Sequence, residues 1–162
     1  MGEEAQESDD VANGVVVCMG AEGTRPGNPE AAQAAFAEMG TVAGNAMAIA
    51  AQLMDGLIVI GGGITASRKY FMPALLDALR GTTRTLSGDT LAKVQMKVYN
   101  LDDEDEFAAF AKGSARELKV YGTDKTVTYD PQKRIGVMIS KIGASKAISV
   151  GAYDFALAQL DA

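Results

Sequence analysis

The stretch GLIVIGGGIT, residues Gly56–Thr65, carries the strongest signal in the chain. Its apolar run Leu57–Ile60 is typical of a central strand of a parallel sheet, which is buried on both faces. Gly61, Gly62 and Gly63 follow, and residues without a β-carbon let the backbone turn tightly or approach a ligand closely. Since ligands of such sheets bind at the carboxyl ends of strands, the stretch predicts a ligand-binding loop, with a nucleotide as the favoured ligand. A tight turn without a ligand is the alternative.

A long helix is predicted before this strand. Asn28 suits an N-cap and Pro29 the first helical position, while Asp55–Gly56 marks the end. Gly40 and Gly44 give the helix one face of small residues, against which another element can pack closely. Larger apolar residues also recur at helical spacing: Phe36, Met39, Val42 or Ala43, Ala46, Ile49 and Leu53.

The rest of the chain alternates between strand and helix patterns. The predicted elements are a short strand at Gly14–Met19, a helix at Thr65–Gly81, a strand within Leu91–Leu101, a helix at Asp102–Gly113, a hairpin at Glu117–Asp130, a strand at Arg134–Gly143 and a helix at Ala144–Leu160. In the strand within Leu91–Leu101, Val94, Met96 and Val98 alternate with Gln95, Lys97 and Tyr99. The order of elements predicts an α/β fold with a mostly parallel central sheet flanked by helices. We assign residues 13–162 to it and expect the acidic residues 1–12 to be disordered.

Composition excludes several classes of function. The net charge of −6 disfavours a nucleic-acid surface, which needs a basic patch, and an anionic membrane surface. With no histidine and Cys18 as the one cysteine, the chain has no Cys/His metal site, zinc included, no internal disulfide and no Ser-His-Asp triad. No run approaches the length of a membrane span, and the acidic start lacks the apolar core of a signal peptide. We therefore expect a cytoplasmic protein.

Other conspicuous residues have plain structural interpretations. The acidic run Asp102–Glu106 is interpreted as a solvated helix N-terminus rather than a metal or acid–base cluster. Arg68 and Lys69 are interpreted as surface residues rather than phosphate ligands. In the last helix, Gly151 is expected to be a point of close approach, and the aromatic side chains of Tyr153 and Phe155 are expected in the core or at an interface between lobes.

The glycine loop also fits a dinucleotide-binding pattern. GGGITA, Gly61–Ala66, matches G-x-G-x-x-A between a strand and a helix. A ribose-binding acid should follow about 20 residues later, at the end of the next strand. That region, Thr82–Thr90, offers no such position, and the next strand ends only at Asp102 and Asp103. A Rossmann-type NAD-binding domain is therefore the weaker alternative.

Two segments together resemble the ROK family of bacterial sugar kinases and sugar-responsive repressors. One runs from Gly27 through the helix, Asp55 and the strand to the glycines, and the other is IGASKAISVGAYDFAL, Ile142–Leu157. The resemblance covers most of the chain and implies a two-lobed actin-like ATPase fold, related to ribonuclease H. It further implies that the glycines face the adenosine of ATP, so that the cofactor-binding residues are Gly61, Gly62, Gly63, Ile64 and Thr65. Thr65 is also a candidate N-cap.

Four motifs of that family do not occur in this sequence. They are the phosphate-binding D-x-G-x-T, the catalytic aspartate in its N-D-A-N-like context, the sugar-contacting E-x-G-H and the cysteine-rich zinc motif. The resemblance therefore implies the C-terminal, nucleotide-side lobe of a sugar kinase, incomplete and inactive alone, with no catalytic residue. It implies ATP as the cofactor, with Mg²⁺ in the parent enzyme, sugar bound only through the missing half, and a second copy or the missing lobe as partner. A non-catalytic regulatory or sugar-sensing domain is the alternative.

Overall fold

The structure is a computed structural model, and it describes residues 19–160. The tail predicted at residues 1–12 and Cys18 lie outside these residues. So does the strand predicted at Gly14–Met19, except for Met19, which begins the helical residues 19–21. The described chain forms two compact units. One contains residues 19–36, 59–70 and 139–160, and the other contains residues 37–58 and 71–138.

The elements follow one another as an α/β chain. They are α1 (Pro29–Leu53), β1 (Ile58–Ile60), a 3₁₀ helix (Gly63–Ser67), α2 (Arg68–Arg80), β2 (Thr82–Arg84), β3 (Thr90–Ala92), β4 (Lys97–Asn100), α3 (Glu104–Lys112), β5 (Arg116–Lys119), β6 (Thr126–Tyr129), β7 (Arg134–Ile139) and α4 (Ala144–Leu160). The main helices and the β5–β6 hairpin lie where the sequence predicts them, with ends shifted by a few residues.

Helix α1 begins as predicted and packs closely through its small-residue face, as that face indicated. The backbone N–H of Ala31 donates to Asn28 Oδ1 at 3.1 Å, which is the expected capping bond. Of the larger apolar residues that recur at helical spacing, Phe36 is buried, whereas Ile49 and Leu53 are 66% and 81% exposed. In the second unit the small face is the buried one, because Gly40 and Gly44 let the α2 backbone come closer than any β-carbon would allow.

The main sheet has the strand order β1-β7-β4, and β4 and β7 run parallel. Strand β7 is central, and Ile135 and Val137 on it are buried. The prediction that Leu57–Ile60 is a central strand buried on both faces is wrong for the described residues. Among the described residues, β1 lies at the edge of the sheet with β7 as its one neighbouring strand, and Val59 is 57% exposed. The two remaining strand pairs, β2–β3 and β5–β6, are antiparallel.

Strand β4 is covered on both faces, contrary to the simple alternation in its sequence. Val98 and Tyr99 are neighbours in the chain, and both are buried. The ring of Tyr99 meets Phe110 of α3 edge to face, with centroids 5.7 Å apart. Helix α3 is capped by Asp103, whose Oδ1 accepts the N–H of Glu106 at 2.9 Å.

Helix α4 spans the predicted range, but its two aromatic side chains are not in the core. Tyr153 and Phe155 are each 69% exposed. A β-carbon placed on Gly151 would meet no described atom within 4 Å, so the expected close approach is not seen. Among the described residues, no helix combines the length and the apolar character needed to cross a bilayer.

Candidate functional site

The glycine loop follows β1, whose last residue is hydrogen-bonded to Ser140, the residue after β7. The N–H of Ser140 donates to the carbonyl of Ile60 at 2.7 Å, and the position of a β-carbon on Gly61 is 3.7 Å from Ser140 Cβ. Gly62 then takes φ 97° and ψ 172°, a conformation that favours glycine. The N–H of Thr65 donates to the Gly62 carbonyl at 3.2 Å and its hydroxyl donates to the same oxygen at 2.8 Å. The loop is thus held open by its own backbone and one side chain.

The five predicted site residues form one continuous surface. Gly61, Gly62 and Gly63 are exposed, and Ile64 is 39% exposed. A β-carbon on Gly62 would meet no described atom within 4 Å, so the space beside the loop is open to a ligand. The backbone at the start of the 3₁₀ helix also presents N–H groups without partners in that helix. These features leave room for a ligand that is bound by backbone atoms.

The prediction that Thr65 is an N-cap is wrong. Helix α2 begins only at Arg68, and a 3₁₀ helix capped by Gly62 lies between it and the loop. The Thr65 hydroxyl donates to a carbonyl, whereas a capping hydroxyl accepts from an N–H. Its lone pairs are still available to a ligand.

A serine that the sequence does not mark lies just behind the loop. Ser67 is fully buried, and its hydroxyl has no hydrogen-bond partner among the described residues. Nearby, Lys69 behaves as the surface residue that was predicted. Its Nζ lies 2.6 Å from Glu22 Oε1 and 5.0 Å from the ring centre of Tyr70. The hydrogen bond to Glu22 raises the pKa of Lys69 above its ordinary value.

The acidic run Asp102–Glu106 has structural contacts. Besides the cap made by Asp103, the Glu106 carboxylate accepts from Arg80 and from the backbone N–H of Asn100, both at 2.6 Å. In the part of the chain that is described, no group of three or more histidine, cysteine, aspartate or glutamate residues is placed to hold a metal ion.

A comparison with solved structures finds the crystal structure of glucokinase from Parabacteroides distasonis, with a TM-score of 0.76 and 50% sequence identity. The match covers 89% of this chain. The predicted resemblance to a glucokinase-like sugar kinase is confirmed. This chain spans 38% of the length of the glucokinase that it matches. No family model matches the sequence, and no curated protein matches it.

Proposed function

We propose that this chain is the nucleotide-side lobe of a sugar kinase with an actin-like fold, and that it binds ATP or ADP at Gly61–Thr65. The proposal is carried by the 50% identity to part of a glucokinase over 89% of this chain. The loop geometry supports it, because the open space beside Gly62 would be filled by the β-carbon of any other residue. The exposed backbone of Gly61–Thr65 would hold the adenosine, and the nucleotide would supply the phosphate that a kinase transfers.

A kinase reaction requires more groups than this loop supplies. Phosphoryl transfer needs the phosphate oxygens clamped with Mg²⁺ and a base that accepts the proton of the attacking hydroxyl. The sequence holds neither the D-x-G-x-T motif nor the aspartate motif of the resembling family. We therefore expect no turnover by the purified chain in a coupled ADP-release assay with glucose, mannose and N-acetylated hexosamines. Turnover that is lost on substituting a residue of this chain would contradict the proposal.

Nucleotide binding can be tested with a pair of matched glycine variants. Gly62 and Gly88 have similar φ angles, 97° and 92°, and in both cases the position of the β-carbon is open. Gly62→Ala and Gly88→Ala each place a β-carbon at a positive φ, so both carry a conformational cost in the folded state. We expect Gly62→Ala to weaken ADP binding several-fold and Gly88→Ala to leave it unchanged.

The readout is NMR titration of the full chain with ADP, ATP and NAD, with thermal melting as the check of folding. Shifts at Gly61–Thr65 with adenine nucleotides are the expected result. Equal loss of affinity in Gly62→Ala and Gly88→Ala would show that the loop is not the binding surface. Tighter binding of NAD than of ADP would favour a Rossmann-type function, and no shifts at all would leave a turn without a ligand.

We also propose a protein partner, either a second copy or the missing lobe. The exposed apolar residues on α4 include Tyr153, Phe155 and Leu160, and a large apolar surface of this kind usually marks an interaction site. Light scattering should show dimers or larger species of the purified chain. A monodisperse monomer that binds little apolar dye would contradict self-association.

A further inference from the structure

A pocket of about 550 Å³ lies within the second unit, among residues that precede strands of the main sheet. Asp55 comes before β1, Gln95 before β4, and Gln132 and Lys133 before β7. The glycine loop, by contrast, follows the carboxyl end of β1. Because parallel α/β sheets usually bind ligands at the carboxyl ends of strands, this pocket is not the expected nucleotide site. Its volume is in the range of small-molecule pockets.

Two glutamine side chains of the pocket are held by hydrogen bonds, one through its amide nitrogen and the other through its amide oxygen. Nε2 of Gln52 donates to the carbonyls of Ala48 at 3.2 Å and Lys93 at 2.9 Å, which leaves Oε1 as an acceptor. Oε1 of Gln132 accepts from the Ser114 hydroxyl at 3.2 Å, which leaves Nε2 as a donor. Both residues line the pocket, so Gln52 can offer an acceptor and Gln132 a donor to a ligand. This combination suits hydroxyl groups, which both donate and accept.

The two cationic residues that line the pocket differ in their partners. Arg134 is paired with Asp130, with Nη2 and Oδ2 2.8 Å apart, while its Nη1 is buried without a hydrogen-bond partner among the described residues. The pKa of Asp130 is lowered, chiefly by the backbone N–H groups of Gln132 and Ser114 that donate to it, so its carboxylate stays ionised and balances Arg134. Lys133 is exposed and forms no ion pair with any residue in the range 19–160. Its ammonium group can therefore bind an anionic group of a ligand.

The remaining lining supplies acceptors and apolar contact. Asp55 and Gln95 are exposed at the pocket and add a carboxylate and a third amide, both suited to hydroxyl groups. Leu53 and Met96 present apolar surface, against which the C–H face of a sugar ring can pack. We propose that this pocket binds a phosphorylated sugar, with Lys133 on the phosphate and the amides and Asp55 on the ring hydroxyls. The inference goes beyond the proposed function and does not depend on nucleotide binding.

The test compares glucose 6-phosphate with glucose and with inorganic phosphate, each titrated calorimetrically into the full chain. Glucose 6-phosphate should bind at least tenfold more tightly than either part alone, because only it engages both the amides and the cation. Lys133→Ala should weaken it about tenfold, the effect of losing one charge-assisted contact. Gln95→Ala should weaken it several-fold. Lys125→Ala is the matched control, since Lys125 is exposed between β5 and β6 and lies outside the pocket.

Several results would overturn the proposal. One is that glucose 6-phosphate shows no measurable binding. Another is that inorganic phosphate or glucose binds as tightly as glucose 6-phosphate does. Unchanged affinity in Lys133→Ala would also overturn it. The Lys133 side chain is exposed, so the variant should fold, and Lys133→Gln provides a second neutral side chain with its own amide. An ADP titration of the same samples tests the proposed nucleotide site separately, because that site uses other residues.

Discussion

Replacing Gly40 by alanine tests how α1 packs in the second unit. The added β-carbon would lie 3.1 Å from the carbonyl carbon of Phe71 and 3.2 Å from its Cα, and closer still to its carbonyl oxygen. All three are backbone atoms of α2, so no side-chain rotation can relieve the contact. The helices must move apart, and this movement loosens Phe71 and Leu75, which are 2% and 1% exposed.

Two opposing contributions decide whether Gly40→Ala raises or lowers the free energy of unfolding. Alanine is favoured over glycine inside a helix by about 1 kcal/mol. Overpacking of a close-packed contact costs about 1–3 kcal/mol or more, and a backbone clash lies at the upper end of that range. We therefore expect Gly40→Ala to lower the free energy of unfolding by about 2 kcal/mol. Gly151→Ala is the matched control, because its β-carbon meets no described atom within 4 Å in the interior of α4.

Urea unfolding followed by circular dichroism measures both variants. Gly40→Ala should unfold at lower urea concentration than the wild type, and Gly151→Ala at the same or a higher concentration. If Gly40→Ala is as stable as the wild type, α1 and α2 do not pack through this glycine, and the account of the buried small-residue face fails.

Three further changes have defined outcomes in unfolding experiments. Asp103→Ala removes the cap of α3 and should cost about 1 kcal/mol. Ser67→Ala removes a buried hydroxyl that has no partner among the described residues, so it should leave stability unchanged or raise it by up to about 1 kcal/mol. The backbone N–H groups of Gln132 and Ser114 lower the pKa of Asp130, so the stability it contributes is present at neutral pH and is lost as pH falls below about 4. Asp130→Asn should therefore lose less stability than the wild type on acidification over that range.

Signals that are local in the sequence predict local structure well. The cap of α1 needs only Asn28 and Pro29, and the end of α3 at Gly113 needs only the glycine itself. The loop Gly61–Thr65 also follows its strand as predicted, because an apolar run followed by glycines constrains both elements. The φ of 97° at Gly62 and the double hydrogen bond from Thr65 depend on the 3₁₀ turn, which no residue pattern indicated.

Features that depend on neighbours in space were predicted only in part. The small residues Gly40 and Gly44 indicated a close approach on one face of α1, and α2 makes that approach, but helical spacing did not show that Ile49 and Leu53 lie exposed. Periodicity alone does not show which of two faces has a partner. The same holds for Tyr99, whose burial depends on Phe110 of α3.

The pocket at the amino ends of the strands was also outside the reach of sequence reasoning. Its polar residues come from three separate segments, represented by Asp55, Gln95 and Lys133. Only the order of the sheet, with β7 between β1 and β4, brings these segments together. None of the three stands in a motif of its own.

Intermolecular NOEs between the adenosine protons of bound ADP and the amide protons of Gly61–Thr65 would show directly whether the glycine loop binds a nucleotide. We expect such NOEs at saturating ADP, strongest where the open space beside Gly62 admits the ligand. NOEs only to residues elsewhere in the chain, or ADP binding that leaves these amides unaffected, would contradict nucleotide binding at the glycine loop.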